Sequence, residues 1–233
     1  MLLSSLTPEV VAEDVRRRCL RDHVTNWRGR ASVDSGGYRM VWEFRLRAVQ
    51  AALSPVTARC RAADPRFLLL DLHRLEGPAW ALLSHRPVHL LDPRHDSWES
   101  LILSVVDAML AHESADGATL AGKSWGRMNR AKRRHPLSEA VPWLSRWLDM
   151  PADPLPGGWF DMPRIQGPDF GASERMVVSP GREKESLFQM PCGQSGHPLS
   201  PFYRKGHADW VEGRTSPLLP GPPAGTLVLK PEN

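Results

Sequence analysis

The sequence predicts an α+β protein: a helix-rich first two-thirds, then a β hairpin and a C-terminal helix. Three observations lead there. Trp98, Leu101, Ile102, Val105, Val106, Met109 and Leu110 recur at i, i+3, i+4, i+7, i+8, i+11 and i+12, a single apolar stripe on a helix over Ser97–His112. Two extended runs, Met176–Ser179 and Leu187–Met190, flank the turn formers Ser179, Pro180 and Gly181. Helical patterns precede strand patterns without alternating with them, which is the order of α+β chains and not of βαβ units.

In chain order, Thr7-Pro8-Glu9 opens a helix, with Thr as cap, Pro at the first position and Glu at the positive end of the dipole. Val10, Val11, Val15 and Leu20 carry it towards Trp27, and Arg28-Gly29 ends it. A second helix starts at Asp34 or Ser35 and buries Tyr38, Val41, Trp42, Ala48, Val49, Ala52 and Leu53 until Ser54-Pro55 stops it. Gly36 and Gly37 near its start are poor helix formers, so close packing or a delayed start is expected. Residues 66–91 are interrupted by Gly77-Pro78 and Pro87, which predicts two short helices. The stripe helix follows.

After Gly117 comes a basic run, Ser124–His135, and then a helix capped by Ser138 and carrying Val141, Leu144, Trp147 and Leu148. Residues 151–171 hold five prolines and four glycines, an irregular connection into the hairpin. A loop over Cys192–His197 leads to a helix with Ser200 as cap and Pro201 at its first position, whose face carries Tyr203, His207, Trp210 and Val211. The expected organisation is a helical region over 1–150, the connection over 151–171, and hairpin, loop and helix over 172–233. No internal repeat appears.

With 233 residues, the chain is long enough to bury a core without covalent staples. Cys19, Cys60 and Cys192 are odd in number and far apart, so they provide neither a disulfide framework nor a zinc signature. Of the 30 basic residues 25 are Arg, but they are scattered among 26 acids and give a net charge of only +4. Met1-Leu2-Leu3 is too short for a signal peptide, and no stretch approaches the ~20 apolar residues of a membrane span. The expectation is a soluble chain with no membrane partner, its compartment unknown.

The chemical candidates are few. Gly193-Gln194-Ser195-Gly196-His197 resembles a nucleophile elbow, but His197 stands where Gly belongs and Pro198 follows where a helix should start. Ser195 is read as a loop serine. His85 and His89 have ligand spacing for one helix face, but Pro87 lies between them, and His95 adds no third ligand. Arg127, Arg130, Lys132, Arg133, Arg134 and His135 could follow a phosphate backbone, but no nucleic-acid signature or aromatic interleaving accompanies them. A solvated face is expected.

One resemblance goes further. PCGQSGHPLSPFY (191–203), HADWVEG (207–213) and the preceding GASERMVVSPG (171–181) closely resemble the C-terminal end of the penicillin acylase (penicillin amidase) family. SWGRMNRAKRRHPLS (124–138) and WRGRASVDSGGYRMVWEFR (27–45) are similar to the family's upstream pieces, in the family's order. The likeness covers nearly the whole chain and is strongest over 124–220.

The resemblance implies an N-terminal-nucleophile hydrolase that cleaves amides of β-lactam antibiotics or acyl-homoserine lactones, and a chain that is part of an αββα core. In that family a precursor cuts itself in two. The new N-terminal Ser attacks, with its own α-amine, titrating near ~7.7–8.0, as base. An Asn side chain and a backbone N–H hold the oxyanion. All of these, the calcium ligands and the small chain are expected upstream of the region matched here. No catalytic, cofactor-binding or metal residue is therefore carried onto this chain, Ser4 and Ser5 included. The reading is a C-terminal fragment of the large chain, truncated as a reading frame, inactive alone, with the remainder of the acylase as its partner. Two alternatives remain: a non-catalytic accessory subunit of a split acylase, and an Arg-rich nucleic-acid-binding protein using 127–135.

Overall fold

The computed structural model describes residues 1–67, 75–115, 117, 119–159, 164–170 and 174–231. The chain forms two compact units, Met1–Met128 and Asn129–Asn233.

The first unit is helical: α1 (Leu2–Ser5), α2 (Pro8–Ala12), α3 (Val15–Thr25), α4 (Gly36–Ala63), α5 (Glu76–His85), α6 (Trp98–Glu113) and α7 (Trp125–Met128). The 28-residue α4 packs against α3, α5, α6 and α7. Leu20, Val24, Met40, Phe44, Ala48 and Ala52 meet the α6 stripe, all seven of whose members are buried, in one core. Ser97 caps α6, its hydroxyl accepting from the Ser100 N–H at 3.1 Å. No described helix is long and apolar enough to cross a membrane.

Several boundaries differ from expectation, each for a local reason. The first predicted helix is interrupted. Asp14 adopts extended backbone and accepts the Arg16 N–H at 2.7 Å, so it caps a new helix. Val15, at its first position, is exposed and outside the core. Thr7 does cap α2. Pro55 does not stop α4, which runs on to Ala63. Leu53 is buried with Val49 and Ala79, and past the proline the Thr57 hydroxyl donates to Leu53 O at 3.0 Å while Arg61 Nη2 donates to Ser54 O at 3.0 Å. Tertiary burial holds the helix through the lost backbone bond.

Gly77 and Pro78 lie in the first turn of α5, where backbone N–H groups have no intrahelical acceptor and proline is tolerated. The helix ends at Arg86, in the left-handed region just before Pro87, and a 3₁₀ turn follows at Val88–Leu90. Residues 68–74 of this stretch lie outside the described residues.

The second unit is less regular. It holds α8 (Pro136–Ala140), α9 (Ser145–Leu148), β1 (Arg175–Val177), β2 (Leu187–Gln189) and α10 (His207–Glu212). Ser138 is not a cap. His135 caps α8, its Nδ1 accepting the Leu137 N–H at 3.1 Å, while buried Ser138 donates to the Asp149 carboxylate. Pro142 then breaks the run into a 3₁₀ turn and α9, which leaves Trp147 partly exposed. Ser200 is likewise not the cap of the last helix. Its hydroxyl accepts the Phe202 N–H in a local turn, and α10 starts only after Gly206, whose φ is +87°. Tyr203, His207, Trp210 and Val211 are nonetheless all buried.

Strands β1 and β2 form an antiparallel hairpin with Arg175, Met176 and Val177 opposite Gln189, Phe188 and Leu187. The other side of β2 is occupied too. Phe188 N–H donates to Ser216 O and Leu218 N–H to Ser186 O, both at 2.9 Å. The observed architecture is thus helix-rich α+β with a two-stranded hairpin and a C-terminal helix.

Candidate functional site

The segment from β1 to α10 is built around Trp210, which is fully buried with Ala131, Leu155 and Val211. Arg133 and Arg175 place their guanidinium carbons 5.2 and 4.8 Å from the Trp210 ring centre, a cation–π arrangement. Arg175 Nη1 donates to Trp210 O at 2.7 Å and Arg164 Nη2 to Val211 O at 3.0 Å. Those carbonyls end a six-residue helix, where the dipole is negative, so two cations there satisfy both charge and hydrogen bonding. Burial pushes the Arg175 pKa down to about 10, with the nearby Arg164 charge adding to the effect. Burial also lowers those of Arg133 and Arg164.

Asn129 and Gln166, both buried, join the irregular connection to this centre. Asn129 Nδ2 reaches the carbonyls of Leu155, Gly157 and Gln166 at 2.9, 3.3 and 3.2 Å. The Gln166 side chain donates to Pro156 O and accepts from Arg175. His207 closes the far side. Its Nδ1 lies 2.6 Å from Pro191 O and its Nε2 3.3 Å from Asp153 Oδ2, and the ring stacks on Trp210.

Between these elements and the loop lies an open groove of about 780 Å³ whose lining includes Phe188, Gln189, Cys192, Ser195, Lys205 and Asp209. The polar side chains of the loop make local turn bonds. Ser195 Oγ accepts the His197 N–H, and His197 Nδ1 accepts the Leu199 N–H, both at 3.2 Å. Serine and imidazole are therefore engaged in separate local turns and do not form a nucleophile–base pair. Gly193 explains the motif better than Ser195 does: a Cβ there would fall 1.6 Å from Phe202 O, and its N–H donates to Tyr203 O at 3.0 Å.

The remaining sequence candidates do not converge. His85 ends α5 and His89 lies in the following 3₁₀ turn, so they share no helix face, and His95 sits in the turn begun by Asp92. Of the basic run, Arg133 turns inward onto Trp210, Arg127 donates to Gly122 O, and His135 is a cap. Arg130, Lys132 and Arg134 are exposed. Ser4 is exposed and Ser5 donates to Leu2 O. The three cysteines are free thiols, and burial raises the pKa of Cys19.

Glu43, His112 and Glu113, unremarked in the sequence, bring possible ligand atoms within 4.8 Å of one another. Arg39 Nη2 lies 2.9 Å from Glu113 Oε2, Arg47 Nη2 lies 2.7 Å from Glu43 Oε1, and His112 Nδ1 is 3.5 Å from that same oxygen. Two guanidinium groups already neutralise two carboxylates, and a divalent cation would have to displace them. The cluster is an ion-pair network that ties α4 to α6. A polar cleft of about 880 Å³, lined by Asp22, His23, Trp27, Arg30, Ser35 and Lys123 among others, mixes both signs of charge around the start of α4.

Against known proteins, residues 2–224 match the family model described as penicillin amidase. The chain is 32% identical over 108 residues to the penicillin acylase 2 proenzyme of Pseudomonas sp. strain SE83, covering 43% of this chain and 14% of that one. It is 31% identical over 212 residues to the acyl-homoserine lactone acylase QuiP of Pseudomonas putida, covering 73% of this chain and 25% of the relative. The chain thus spans between a seventh and a quarter of the length of these curated relatives.

Proposed function

The chain belongs to the penicillin amidase family, and we propose that it is the C-terminal part of the large chain of an acylase that hydrolyses the amide bond between an acyl group and an amine. The observation that carries this reading is the family match over 2–224 in a chain equivalent to only 14–25% of its relatives. The relatives' names point to β-lactam or acyl-homoserine lactone amides. In the reaction water is added across the bond, giving a carboxylic acid and a free amine. The attacking hydroxyl, the α-amine base and the oxyanion donors are supplied by the remainder of the acylase. This chain contributes the helical region and the hairpin, loop and α10 that close an αββα core.

The loop geometry supports a non-catalytic role, because Ser195 and His197 are both held in turns of their own. The purified chain, incubated with phenylacetyl- and fatty-acyl-p-nitroanilides, is expected to release no chromophore above the buffer rate. Release that scales with the chain and disappears in Ser195→Ala would overturn the reading and return the chemistry to this loop.

A further inference from the structure

Among the described residues, the hairpin has one finished side and one open one. Phe188 N–H and Ser186 C=O pair with the 216–218 segment, so Phe188 turns its backbone polar groups away from β1. In an antiparallel ladder this makes Met176–Phe188 a non-hydrogen-bonded pair, flanked by hydrogen-bonded pairs at Arg175–Gln189 and Val177–Leu187. The N–H and C=O of Met176 therefore face away from β2, along the outer edge of β1.

The side chains on this strand are uncovered as well. Met176, Val177 and Val178 are 55%, 56% and 51% exposed. They alternate in direction, Met176 and Val178 on the face of Phe188 and Val177 on that of Leu187. Apolar residues on both faces mark a strand buried on both sides, whereas natural edge strands carry charge, proline or a bulge to prevent pairing. The one charge on β1, Arg175, is turned onto Trp210, and neither charge, proline nor bulge stands at 176–178.

We propose that β1 is an inner strand of a larger sheet, and that its open edge docks a β-strand from the remainder of the acylase polypeptide. The occupant follows from length: three-quarters or more of each curated relative lies outside the matched part. The inference rests on the reading above. It also specifies that reading: recognition is by main-chain pairing with Met176 and its neighbours, and apolar side chains of the added strand cover those of β1.

The geometry supplies a selective variant. Met176→Pro removes an N–H that β2 does not use, so the hairpin keeps its ladder while the outer edge loses a donor. Met176→Lys is the second variant, charging the edge without touching the backbone. The chain is immobilised and offered the QuiP acylase lacking the segment that matches it, with the excised segment itself as positive control. Retention by the wild-type chain, reduced at least tenfold in both variants while their circular dichroism and thermal unfolding match wild type, is the expected result. Equal retention by wild type and variants would overturn docking at β1 and leave the acylase reading intact. Retention by the control segment but by no form of this chain would overturn both. Sedimentation of the wild-type chain as a dimer that Met176→Pro dissociates would assign the edge to a second copy, also against the proposal.

Discussion

Asp92 sits in the turn before α6 and is 6% exposed. Its carboxylate accepts the Arg94 N–H at 3.0 Å and the Arg94 guanidinium at 2.7–3.2 Å. These bonds hold its pKa at about 2, below the ordinary 3.8, with the Arg94 side chain as the largest cause. Because the folded state binds the proton more weakly than the unfolded one, the stabilisation is complete above pH ~4 and is lost as pH falls towards ~2. Arg94 is largely exposed, so solvent screening reduces the contribution to about 1 kcal/mol. Urea unfolding of wild type and Asp92→Asn should therefore show a stability gap at pH 6 that shrinks by about that amount at pH 2.5. A gap independent of pH would place the benefit in packing and not in charge.

Among the elements, the approach of α3 to α4 depends on Gly37. A Cβ there would lie 2.5 Å from both His23 O and Trp27 Cβ. Gly37→Ala gains helix propensity of up to ~1 kcal/mol but overpacks the contact by about 1–3 kcal/mol, so a net loss of roughly 1–2 kcal/mol is expected. Gly77→Ala, with nothing within 4 Å, should be neutral or stabilising in the same chemical unfolding assay. Reversal of that order would mean that α3 and α4 are not in contact at this point.

The α6 stripe, the Thr7 cap, and close packing at Gly36-Gly37 were legible in the sequence because each signal lies within a few residues of its effect. Pro55 and Ser138 misled because their outcome depends on distant burial and on Asp149. The centre around Trp210 was half legible. Its apolar face showed in the spacing of Tyr203, His207, Trp210 and Val211. The roles of Asn129, Arg164 and Arg175 did not, since their backbone acceptors are 26 to 47 positions away along the chain. Family motifs identified this segment, while its residues proved to fix backbone and helix ends.

For the whole molecule, the accumulated exposure of large apolar side chains has to be explained. Leu137, Trp143, Leu199 and Phe202 are exposed in the second unit, together with Met176–Val178 and Leu227–Leu229. Single exposed apolar residues are ordinary, but runs of them on a strand and in an extended segment mark surfaces meant to be covered. The chain spans a quarter or less of the length of its curated relatives, and under the function proposed above the covering layers are those of the remainder of the acylase. The most direct measurement is complementation. QuiP lacking the matching segment is co-expressed with this chain, with its own excised segment, or with neither, and hydrolysis of a fatty-acyl-p-nitroanilide is followed. The account predicts activity with either segment and none without. Activity restored by the relative's own segment but not by this chain would contradict it.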